Sequence, residues 1–163
     1  MKNKDRIFSY IDSLGAVKLD EDLAESGLTA INEKIAEICN KRSKAGNFAN
    51  RISKLLYDTK RRLTHKEEIY QLKFDRLMAY DSRIKRCSNK EEMLSTCRSI
   101  LSKYDRYIRK LKTSIEELET LEKCLKVSLK TLQHAKESIA KQMRVLEHQM
   151  EIGEVNRHSF ANT

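Results

Sequence analysis

Lys103, Arg106, Arg109 and Lys110 recur at spacings of one to three residues, with Arg98 shortly before them and Tyr107 in their midst. Cations gathered on one side of a helix can neutralise the phosphates of a polymer, and neighbouring hydroxyls can donate to the same oxygens without reading bases. Tyr107 adds a ring on which a base could stack. A second set of candidates, Lys44, Arg51 and Lys54, lies upstream. The chemistry these residue types offer is capture of a polyanion, not bond making.

The distribution of charge strengthens that reading. The net charge is +9, from 33 Lys and Arg against 24 Asp and Glu. Residues 41–62 and residues 83–112 each carry +7, while the three remaining regions are slightly negative. With Leu94 at heptad position a, the outward positions between 95 and 113 hold Ser, Thr, Lys and Arg and no acid. A solvated helix face ordinarily mixes signs, because opposite charges three and four apart support the helix and like charges repel. Three readings remain open for such a face: contact with a nucleic acid, a plain solvated or partner-facing surface, and contact with an anionic membrane. The first basic block faces a different situation. If the chain turns near Ser88, Lys54, Lys60, Arg61 and Arg62 fall opposite Glu116, Glu117, Glu119 and Glu122, so part of that block is expected to pair internally.

Catalytic patterns are missing. There is no Gly-rich phosphate loop, no H-E-x-x-H and no G-x-S-x-G, and His65, His134, His148 and His158 lack neighbouring ligand types at metal spacing. The expectation is a protein that is not an enzyme and needs no cofactor. Cys39, Cys87, Cys97 and Cys124 form no C-x-x-C pair and read as small helix residues in a reducing, cytoplasmic setting. No apolar run approaches a membrane span, and the N-terminus lacks the apolar stretch and cleavage site of a signal peptide.

The elements that must position the cations are helices. Only 39% of the residues are hydrophobic and 35% are charged, a poor composition for a large core. There is no proline and only four glycines, so little interrupts a helix. From Leu94 to Met150, counting alternately by three and four, fifteen of 17 positions are apolar, with Glu122 and Lys136 the exceptions. From Leu28 to Cys87 the same count gives 14 of 18. A repeat of 3.5 residues held this long predicts a left-handed coiled coil. Ser88 and Glu91 have capping-box spacing, so one helix is expected to end near Arg86 and the next to begin at Ser88.

The expected fold is therefore all-α: a long antiparallel helical hairpin over 28–152, turning near 86–89. Ahead of it, residues 1–27 hold a short helix, with Ile7, Phe8, Ile11 and Leu14 on one side and Gly15 at its end, then an acidic linker. Gly46-Asn47 is a possible kink site. Gly153 is expected to stop the last helix before a disordered tail, 153–163. Leu55, Ile69, Leu72, Phe74, Leu121 and Val127 lie off the seam, which predicts self-association into a homo-oligomer.

This layout resembles the phage recombination mediator family of the UvsY type. The likeness lies in the KLDEDL stretch from Lys18 to Leu23, in INEKIAEICNKRSKAG opening a basic helix, and in RVLEHQMEIG near the close. The resemblance implies a cytoplasmic, ring-forming, all-helical protein that binds single-stranded DNA and helps a recombinase displace the single-strand-binding protein. It places Lys41, Arg42, Lys44, Arg51 and Lys54 on the basic helix of the family pattern. The two helices here run longer and more regularly, and a second basic block follows the turn. The competing expectation is a structural or adaptor coiled coil, such as a virion or secretion component, docking an acidic protein.

Overall fold

In a computed structural model, residues 2–16 and 27–160 are described, with side chains over 6–16 and 29–152. The acidic linker lies outside them. The described residues form five helices and no strand: α1 (Lys2–Gly15), α2 (Gly27–Tyr80), α3 (Ser82–Lys85), α4 (Lys90–Ile100) and α5 (Ser102–Phe160). The chain divides into two compact units, one of residues 1–50 with 123–163 and one of residues 51–122.

In the first unit, α1 and the flanking parts of α2 and α5 bury one core. Ile31, Ile38 and Ala45 recur every seventh residue on α2, and with Leu14 they meet Leu132, Ala135 and Ile139 of α5. Ile35, Leu129, Met143 and Leu146 pack against that cluster. The short helix expected at the N-terminus is present, buried through Ile11 and Leu14. It lies close against α5: a Cβ on Gly15 would sit 3.1 Å from Ser128 Oγ. The buried Ser128 hydroxyl donates to the Ile11 carbonyl at 3.3 Å, which satisfies it. Tyr10 meets Phe48 edge to face, with centroids 6.0 Å apart. Just beyond the end of α1, Lys41 Nζ donates to the Ala16 carbonyl at 2.7 Å, a cation where unpaired carbonyls collect. α2 runs through Gly46 and Asn47 without interruption.

In the second unit, Ile52, Leu56, Ile84, Cys97, Leu101, Ile108 and Ile115 are buried. Contacts between α2 and α5 descend one helix as they climb the other. Ser53 donates to Glu122, Lys60 pairs with Glu119, Glu67 with Lys112, and Lys73 lies over Tyr104. This part of α2 and α5 is therefore antiparallel, in the register expected for a turn close to Ser88.

The turn itself differs from the expectation. α2 ends at Tyr80, several residues before Arg86, because Asp81 offers its carboxylate to the backbone instead of continuing the helix. It caps α3 by accepting from the Arg83 amide at 2.8 Å, and binds the Arg83 guanidinium at 3.0 and 2.7 Å. The capping box is displaced by one residue from Ser88 and Glu91. Asn89 is the N-cap of α4 and accepts from the Glu92 amide at 2.8 Å. Glu92 reaches back to the Ser88 amide and hydroxyl at 2.8 and 2.7 Å. Asn caps at least as well as Ser, and choosing it puts Glu92 at the third helical position.

Two further expectations are corrected. The seam after Leu94 is not one continuous helix, since Leu101 leaves helical geometry (φ −88°, ψ 4°) between α4 and α5. Its carbonyl still accepts from the amides of Tyr104 and Asp105, at 2.9 and 3.1 Å, so the change is local. At the far end α5 continues through Gly153 to Phe160, and the helix stop and tail expected from 153 do not begin there. A lone glycine costs a helix about 1 kcal/mol and need not end it.

Candidate nucleic-acid interface

Sequence-chosen cations occupy the second unit on both sides of Leu101. Arg98 stands in the last turn of α4, and Lys103, Arg106, Arg109 and Lys110 follow in the opening turns of α5, all exposed. Their backbones are held by the buried neighbours Cys97, Leu101 and Ile108, which anchor the inner side of the same turns. Arg98, Lys103, Arg106 and Lys110 form no ion pair among the described residues. Tyr107 stands between them, 44% exposed.

The face is not wholly free of acid, as the outward heptad positions suggested. Asp105 reaches round to Arg109, with an N–O distance of 3.1 Å. Lys112 pairs with Glu67 of α2 at 2.9 Å, and Arg83 with Asp81. The Arg83 contacts pull the Asp81 carboxyl down to about 2. Burial first, and then the charge of Asp105, push the half-buried Tyr70 hydroxyl upward.

The second set of candidates divides between the two units. Lys44 belongs to the first unit, whereas Arg51 and Lys54 belong to the second, all three exposed. Of the other residues implied by the family resemblance, Arg42 is exposed but Lys41 is engaged. It holds the Ala16 carbonyl and lies 2.9 Å from Glu37, whose carboxyl Lys41 and then Lys34 hold below its ordinary value. Part of the first block pairs across the helices as expected, through Lys60 and Glu119 at 2.7 Å. Farther along, Arg61, Arg62 and His65 line an open surface groove together with Asp58 and Glu68, a face of mixed sign.

Sequence reasoning passed over a set of residues on α2. Lys66 lies 5.9 Å from the centre of the Tyr107 ring, and Lys73 lies 5.0 Å from that of Tyr104. With Lys103 and the two tyrosines, Lys66 lines a groove of about 370 Å³. Next to it, Lys73, Arg76, Tyr80 and Tyr104 line another of about 480 Å³. Tyr104, which stands on the counted seam, is half-buried and belongs to both grooves. The available signal was the interruption of the first apolar seam by Lys66 and Lys73. A cation in a seam stays there when something across the interface receives it, and a tyrosine ring does so.

Among the described residues, no group of His, Cys, Asp and Glu is placed to hold a metal ion. No described helix is long and apolar enough to cross a membrane. Comparison with protein-family models, with curated proteins and with solved structures finds no match to this chain.

Proposed function

We propose that the protein is a non-enzymatic nucleic-acid-binding accessory factor that holds single-stranded DNA chiefly through its phosphates, during DNA recombination or replication. The observation that carries the reading is the exposed run Arg98, Lys103, Arg106 and Lys110, without carboxylate partners among the described residues and with Tyr107 in its midst. Charge of one sign left unpaired on a helix face costs stability, and a polyanion offsets that cost when it binds. The resemblance of the sequence layout to UvsY-type mediators points the same way. It adds a recombinase and a single-strand-binding protein as partners, in the cytoplasm of a phage-infected host.

Self-association as a coiled-coil homo-oligomer belongs to this proposal. Leu55, Leu72 and Val127, apolar residues off the seam, are exposed in the single chain, and a second copy would cover them. The same exposed residues favour the second reading, a structural or adaptor coiled coil whose basic face docks an acidic protein.

The test is fluorescence anisotropy of labelled single-stranded DNA at two salt concentrations, with the native chain and an Arg106→Glu/Arg109→Glu/Lys110→Glu variant. Phosphate contact gives binding that weakens log-linearly with salt, by about 0.7 in slope for each phosphate neutralised. The variant is expected to lose most of that binding and to show a smaller slope. Failure of the native chain to bind DNA at low salt would overturn the reading and leave the adaptor.

A further inference from the structure

The outward cations of α5 would hold duplex and single strand alike, since both present phosphates. The two grooves between α2 and α5 in the second unit are built differently. They share Tyr104, and their walls alternate cations and rings: Lys66 and Lys103 beside Tyr107, then Lys73 and Arg76 beside Tyr80. Tyr80 is 80% exposed at the end of α2 and Tyr107 is 44% exposed, so both rings present apolar surface to solvent. Asp81 borders the second groove, but the Arg83 guanidinium occupies its carboxylate at 2.7 and 3.0 Å. Lys66 and Tyr80 are fourteen residues apart on α2, roughly 21 Å along the helix, which is room for several nucleotides.

We propose that a single strand lies in this furrow, with bases stacked on Tyr107 and Tyr80 and phosphates held by Lys66, Lys73 and Lys103. The inference rests on the single-strand-binding reading and names the feature that selects the strand. In a duplex the bases are stacked on one another and expose only their edges in the grooves, so a tyrosine in the furrow finds no face to meet. An unpaired strand offers a face at every base, and base–aromatic stacking tolerates any sequence. Lys66 lies 5.9 Å from the centre of the Tyr107 ring and Lys73 lines the same groove as Tyr80, so each stacked base would have an ammonium group nearby for its phosphates. The outer residues Arg106 and Lys110 then serve as an electrostatic rim that attracts either form.

The experiment compares affinities for a short labelled oligothymidine and for a duplex of equal length, using full-length native chain, Tyr107→Ala, Tyr80→Ala and Tyr107→Phe. Both tyrosines are exposed, and circular dichroism verifies that the variants keep their helices. Each alanine variant is expected to lose about tenfold in single-strand affinity. Duplex affinity should stay unchanged, and Tyr107→Phe should bind like the native chain. Full single-strand affinity in both alanine variants, with loss confined to the Arg106/Arg109/Lys110 variant, would overturn the furrow while leaving DNA binding in place. Equal loss on duplex and single strand in the alanine variants would also overturn it. Competition by polyglutamate that matches oligothymidine and ignores both tyrosines would assign the furrow to an acidic peptide instead. A native chain that binds no DNA removes the function and the furrow together.

Discussion

Lys60 Nζ lies 2.7 Å from a carboxylate oxygen of Glu119, joining α2 to α5 across an antiparallel pair. Both side chains are about half exposed, so the pair contributes only modestly, about 0.5 kcal/mol in water. Its value is as a reporter of register. Lys60→Glu is expected to place two like charges together and lower stability by roughly 1 kcal/mol, and Lys60→Glu with Glu119→Lys should recover most of the loss. Urea denaturation of the two single variants and the double variant measures the coupling. Strict additivity would mean that these residues do not face each other.

The first unit depends on a few apolar side chains from three helices. Leu132 is fully buried among Leu14, Ile31, Ile38 and Ile139. Leu132→Ala removes several methyl and methylene groups and leaves a cavity, which is expected to cost about 3 kcal/mol. Lys130→Ala, on the exposed side of the same stretch of α5, should stay within about 0.5 kcal/mol. Chemical denaturation distinguishes the two, and a similar loss from both would show that the burial pattern is wrong.

The seam was legible because burial depends on which side of a helix a residue occupies, and a 3.5-residue repeat states that directly. Ile31, Ile38, Ile52, Cys97, Ile108, Ile115, Leu125 and Ile139 all stand on the counted positions and are all buried. The antiparallel register followed from a turn placed near Ser88, which set Lys60 in the stretch opposite Glu119. The turn was less legible, because Ser88, Asn89 and Asp81 all have capping side chains, and choosing among them depends on contacts outside the local sequence. The cations of α5 were readable as a face, yet Arg109 and Lys112 prove to have acidic neighbours. Of the furrow, the sequence carried only the interruption of the first apolar seam by Lys66 and Lys73, since Lys66 and Tyr107 are brought together only when the two helices pack.

Acid should weaken the turn in the second unit in a defined direction. The Asp81 carboxyl is held down to about 2, first by the side-chain hydrogen bonds from Arg83, against about 3.9 in an unfolded chain. A depressed folded value means the stabilisation is complete above pH about 4 and is lost as pH falls from there toward 2. Glu92, held low by the Ser88 amide and hydroxyl, acts in the same sense. Asp81→Asn keeps a capping side chain but removes the titration, so its stability should vary less with pH below 4 than that of the native chain. Denaturation midpoints over that range provide the measurement, and parallel curves would exclude Asp81 as a contributor.

Asn89 is the cap that starts α4, and the helix bearing Arg98 begins from it. Asn89→Ala leaves the Glu92 amide without its acceptor and is expected to cost about 1 kcal/mol. Ser88→Ala removes the hydroxyl donor to Glu92 but leaves the backbone amide contact, so its cost should be smaller. Hydrogen exchange of the Glu92 amide reads the difference directly. Faster exchange in Ser88→Ala than in Asn89→Ala would return the cap to Ser88.

Leu111 is half-buried on the seam of α5, between the buried Ile108 and Ile115. A charge at that position must either leave the interface or be desolvated within it, and both weaken the packing of α5 on α2. Leu111→Asp is therefore expected to lower helicity and, on the proposal that copies associate through a coiled coil, to reduce the sedimenting mass. Leu55→Asp is the informative companion, because Leu55 is exposed in the single chain and its substitution should leave helicity intact. Loss of mass in Leu55→Asp with unchanged circular dichroism would place a second copy on that off-seam surface. A native chain that sediments as a monomer would remove self-association and leave the hairpin to act alone.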